Sequence, residues 1–176
     1  MLTKKIPQPN GEDKVKVGEL EESIKMILDA TSESFPFVEF GLLVSQYCVI
    51  VHKYSSPAQE GDNQNPDSVK VQTLVSHLSV EDLDNYSREY KKELTSFGVV
   101  SIPYLTDLLL REEEILHCEK KPNVIYPCGS NFNDAREVLG KIVEENIGYL
   151  VEEFNKARHT WCEIKTGNIL HDLSST

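Results

Sequence analysis

Apolar residues recur at intervals of three and four from Asn133 to Trp161: Ala135, Val138, Leu139, Ile142, Val143, Ile147, Leu150, Val151, Phe154, Ala157 and Trp161. That spacing places them on one face of an α-helix, and Arg136, Glu137, Lys141, Glu144, Glu145, Glu152, Glu153 and Lys156 take the other. Glu137 and Glu152 each precede a lysine by four residues, Lys141 and Lys156, the favourable order for an ion pair along a helix. Asn133 or Asp134 is suited to cap the start, and Glu137 follows three residues after Asp134. At about 1.5 Å per residue such a helix runs roughly 42 Å, longer than a small domain is wide. Part of its stripe is therefore expected to face something besides its own domain. Gly140 and Gly148 lie within it, each costing about 1 kcal/mol relative to alanine, and mark a bend or a close approach.

Upstream, residues 1–14 are polar, carry Pro7, Pro9 and Gly11, and read as a flexible arm. One α+β domain is expected over 15–176. Val17, Leu20, Ile24, Ile27 and Leu28 share one face of a helix from Val15 to Ala30, and Phe35-Pro36-Phe37 turns the chain. From Leu42 to Tyr54, β-branched and aromatic residues alternate, which predicts a strand; a helix over Val38–Tyr47 leading into a strand from Cys48 competes with it. Residues 55–68 hold no apolar side chain larger than alanine and are expected to form a disordered loop. Ser68 to Val75 alternates again and would pair with the earlier strand, antiparallel.

Ser79 is placed to cap a helix through Phe97, closed by Gly98. A second helix, Pro103 to Glu114, opens with proline in its permitted first turn. Ile115–Lys120 and Asn123–Pro127 then read as a short hairpin. Helix, turn, helix and hairpin in that order give a winged helix-turn-helix over 79–127. The expected fold is thus helix-rich α+β with two or three short antiparallel strands and a long C-terminal helix over 133–161.

Charge changes what that winged segment is expected to do. The chain has a net charge of −11 and a pI near 4.9. The helix that would enter a DNA groove exposes Asp107, Arg111, Glu112, Glu113 and Glu114, one cation against four carboxylates that phosphate would repel. A nucleic-acid role would rest on a small lysine patch, Lys120 and Lys121 with the N-terminal Lys4, Lys5, Lys14 and Lys16, and stands as the alternative reading. The apolar run from Phe35 to Val51 is broken by Pro36, Glu39, Gly41, Ser45 and Gln46, so no membrane span is expected. The first residues carry charge and turn formers instead of a secretory core, and four scattered cysteines make no disulfide scaffold; a cytoplasmic or nuclear setting is expected.

The residues with chemical potential are few. His117, Cys118 and Cys128 are near one another in sequence, and His159 with Cys162 adds a second pair of soft ligands. Their spacing is irregular and no C-x-x-C anchors them, so the cysteines read as small core residues and no metal or other cofactor is expected. No nucleophile motif or phosphate-binding glycine run is present, and the adjacent acids on helices read as solvated faces. What the sequence does offer is aromatic side chains of the kind that dominate interfaces. The expectation is a non-catalytic adaptor or complex subunit that binds another protein, as a hetero-complex or a homodimer through the long helix. Tyr149, Phe154 and Trp161 would make the apolar contacts, with Asp107, Arg111 and Glu112 as polar specificity contacts.

Overall fold

The computed structural model describes residues 8–30, 34–55, 66–78, 87–118 and 130–173, and within them the side chains of all but 87, 112–118, 130–132 and 167–173. Among these residues the fold is entirely helical: α1 (Gly11–Asp29), α2 (Phe37–Ser55), α3 (Pro66–Leu78), α4 (Ser87–Phe97), a 3-10 turn (Gly98–Ser101), α5 (Ile102–Cys118), α6 (Ser130–Glu145) and α7 (Ile147–Leu173). The expected α+β class, its antiparallel strands and the winged helix are overturned, because no described residue is in a strand.

Each correction has a physical reason. The Leu42–Tyr54 stretch lies within α2, whose buried residues Phe40, Val44, Tyr47, Val51 and Tyr54 repeat at four and three. Leu42, Leu43, Ile50 and Cys48 flank that row and are half-buried, so apolar residues surround most of the helix and imitate alternation. Ser68 to Val75 lies in α3, which buries Val71, Leu74, Val75 and Leu78 at helical spacing and leaves Val69 exposed. Ile115 to Cys118 continues α5, and Asn123–Pro127 lies outside the described residues. The helix over 133–161 is two helices. At Asn146 the backbone N–H is shared between the carbonyls of Ile142 and Val143, and its side-chain amide also donates to Ile142. α6 stops there, and α7 begins at Ile147.

The chain divides into two compact units. In unit 1 (Met1–Phe35, Leu43–Asp62, Gly148–Thr176) the described elements are α1, most of α2 and α7. Tyr47 meets Phe154 edge-on at 5.1 Å and Tyr54 meets Trp161 at 6.0 Å, so α2 and α7 run the same way with one constant offset. α1 runs against both, bringing Asp13 to Tyr54 and Glu21 to Arg158. Val17, Leu20 and Ile24 of α1 complete this core. The start of α1 is fixed: the Asn10 side chain accepts from the Asp13 N–H at 2.7 Å, and the Asn10 N–H donates to the Tyr54 hydroxyl at 3.4 Å.

Unit 2 (Pro36–Leu42, Asn63–Ile147) contains the start of α2 and α3 to α6. α6 packs on α4 and α5, and α3 packs on α4. Its core includes Leu78, Leu94, Leu105, Leu139 and Ile142. Lys91 ties α4 to Asp134 and Glu137 of α6, and Arg136 ties α6 to Glu39. Gly98, with φ of 59°, adopts the left-handed backbone that ends α4, and the buried Ser101 hydroxyl donates to the Leu94 carbonyl.

Candidate interaction surface

The helices of unit 1 sort the sequence-predicted contacts into buried and exposed. Phe154 and Trp161 are 1% and 2% exposed, in the aromatic core that α7 forms with Tyr47 and Tyr54, so neither is available to a partner. The apolar stripe of α7 meets α2 of its own unit through these ring pairs. Tyr149 is different: it lies off that stripe and is 48% exposed.

In unit 2, Asp107 and Arg111 are both exposed on α5 and engage each other at 3.0 Å, a pairing four residues apart that contributes little to stability. The Glu112 side chain lies outside the described ones. The structure therefore brings Asp107 and Arg111 together, and it places them in the other unit from Tyr149.

Of the soft-ligand residues, His159 and Cys162 have described side chains. His159 is exposed and faces Glu163 at 3.3 Å. Cys162 beside it is exposed, whereas burial, and then the Glu153 charge, pushes the Cys48 thiol up to about 11, away from nucleophilic chemistry at neutral pH. Among the described residues no group of three or more His, Cys, Asp or Glu is arranged to hold a metal ion. Cys128 and the side chains of His117 and Cys118 lie outside that description, as do Lys4, Lys5, Lys120 and Lys121. With the winged helix gone, the lysine-patch alternative loses the fold that would have presented it.

Polar chemistry in unit 1 serves to hold helices together. The Tyr54 hydroxyl donates to Asp13, which also receives Lys53 at 3.0 Å; the Tyr54 bond, then the Lys53 bond, holds the Asp13 carboxyl below its ordinary range. Burial acts to raise the Glu21 carboxyl, but Lys25 and Arg158 overcome it and hold it low. The Tyr47 hydroxyl is buried with no hydrogen-bond partner, and burial foremost raises its pKa.

What sequence reading missed is the set of apolar side chains that unit 1 leaves outside. Val15, Met26 and Leu28 on α1, Val49 on α2 and Tyr149 on α7 make five of the six exposed large hydrophobics among the described residues; Val69 of unit 2 is the sixth. The signal was present for α1, where Val15 and Met26 fall off the Val17–Leu20–Ile24 stripe. Among the described residues no helix is long and apolar enough to cross a membrane. Compared with protein-family models, curated proteins and solved structures, the chain matches none.

Proposed function

We propose that this chain is a helical protein–protein interaction module, an adaptor or complex subunit, and that it binds its partner through unit 1. The observation that carries the reading is the concentration of exposed apolar side chains there, on helices whose inward faces are already filled. Val49 and Tyr149 represent it best: they project from α2 and α7, and Tyr149 is of a residue type enriched at binding hot spots. Asp107 and Arg111 of α5, which pair with each other, belong to unit 2 and are no part of this proposed surface.

The test is capture of partners from native cells by the full chain, quantified against a Val49→Ser/Tyr149→Ser variant of equal helicity by circular dichroism. Specific partners should fall away from the double variant. Phe154→Asp serves as the folding control, because it places a charge in the core of unit 1 and is expected to unfold it. Equal capture by the wild type and the double variant would overturn the reading.

A further inference from the structure

The outward row of α1 combines exposure, spacing and charge. Glu12, Val15, Glu19, Glu22, Met26 and Asp29 follow one another at three and four residues along the whole helix, and every one is exposed. Val15 is 61% and Met26 69% exposed, directly opposite the buried Val17, Leu20 and Ile24. Such spacing is the seam along which one helix packs against another. The three lysines of α1, Lys14, Lys16 and Lys25, fall outside the row. The inward-leaning acids have cations: Asp13 pairs with Lys53, and Glu21 with Lys25 and Arg158. The four acids of the row make no ion pair among the described residues.

From this we infer that the outer face of α1 is a docking seam for a basic amphipathic helix of another protein, with apolar residues set against Val15 and Met26 and Lys or Arg against the four carboxylates. Charge decides the occupant. In a second copy of this chain, parallel or antiparallel, acids would lie opposite acids along the row, which is destabilising. Nucleic acid and anionic lipid surfaces are repelled for the same reason. A basic helix satisfies both features of the row at once, with apolar contact at Val15 and Met26 and charge pairing at Glu19 and Glu22 between them and at Glu12 and Asp29 outside them. The inference rests on unit 1 being the interaction unit and names the partner's chemistry.

The probe is a synthetic helix of about 20 residues, with leucines spaced to meet Val15 and Met26 and lysines spaced to meet the carboxylates. A second peptide carries glutamate for each lysine. Binding to the full chain is read by fluorescence anisotropy at about 0.02 M and about 0.3 M salt. The lysine peptide should bind, weaken with salt and lose roughly tenfold or more in affinity with either Glu19→Lys/Glu22→Lys or Val15→Ser/Met26→Ser. The control Glu89→Lys/Glu93→Lys makes the same charge change on exposed positions of α4 in unit 2 and should matter far less. Three results overturn the seam: an equal loss in the control, which marks general attraction to an acidic chain; no loss in the serine pair; or dimerisation of the chain through α1. If the peptide fails while native partners are still lost from Val49→Ser/Tyr149→Ser, the seam falls and the broader reading of unit 1 stands. If both experiments fail, both readings fall.

Discussion

Phe154 and Tyr149 lie on one helix, five residues apart, and contribute in opposite ways. The Phe154 ring is sealed against Tyr47, with the Arg158 guanidinium 5.5 Å from its centre, so truncation leaves a cavity. Phe154→Ala should cost roughly 3–5 kcal/mol in urea unfolding, while Tyr149→Ala, at the surface, should stay within about 0.5 kcal/mol. Tyr47 itself offers a gain, since its buried hydroxyl lacks a hydrogen-bond partner. Tyr47→Phe keeps the ring and removes the orphan, so stability should rise by about 1 kcal/mol; a fall would show that the hydroxyl is satisfied by bound water. Asp13 links this core to pH. Its carboxyl is held below the ordinary value of 3.8, first by Tyr54 and then by Lys53. A depressed folded-state pKa gives stability that is complete above the unfolded value and is lost as pH falls through the folded one. Asp13→Asn should therefore show a shallower loss of urea midpoint below that value than the wild type does.

At the scale of elements, how much the sequence disclosed depends on how many faces of a helix are covered. α1 was readable in part: Val17, Leu20 and Ile24 go inward as their spacing predicts, but Leu28, expected on the same face, is exposed, and residues 11–14, expected in a flexible arm, already form the first turn of the helix. α2 was not, because its buried row is flanked by half-buried Leu43, Cys48 and Ile50, so a helix wrapped in apolar residues passed for a strand. Local β-branching at Val49-Ile50-Val51 favoured the same error, and tertiary burial overrode it. The stripe of α7 was legible, but sequence alone does not show that Tyr47 and Tyr54 of α2 pack against its Phe154 and Trp161. Of the expected contacts, only Tyr149 among the aromatics proved exposed, and it was the one off the stripe. Helix contacts also set what glycine substitutions do. A Cβ on Gly41 would lie 2.6 Å from the Val143 methyl Cγ2, on a stiff β-branched side chain. A Cβ on Gly18, in the middle of α1, would meet nothing within 4 Å. Gly18→Ala should stabilise by about 1 kcal/mol, and Gly41→Ala should destabilise by about 1–3 kcal/mol through overpacking, both measurable by thermal or urea unfolding.

Across the whole molecule, the division into two units falls in part where the sequence predicts a turn (Phe35/Pro36) or a loop (Asp62/Asn63), and in part at positions that periodicity passed over. The positions passed over are Leu42/Leu43, inside α2, and Ile147/Gly148, just past the Asn146 break. Each unit has its own buried set: Val17, Ile24, Tyr47, Phe154 and Trp161 in unit 1, and Leu78, Leu94, Leu105, Leu139 and Ile142 in unit 2. A substitution that hollows one set should loosen the amides dependent on it before the rest, because stability is distributed over cooperative segments of a fold. Native-state hydrogen exchange tests this directly. Phe154→Ala should accelerate exchange in α1, in 43–55 and in 148–166 more than in α3 to α6, and Leu139→Ala should do the reverse. Within α2, the amides of 37–42 should follow unit 2 and those of 43–55 unit 1, although one helix carries both. Uniform acceleration by either substitution would mean that the two sets open as a single cooperative body, and that partner binding through unit 1 would stabilise the entire chain equally.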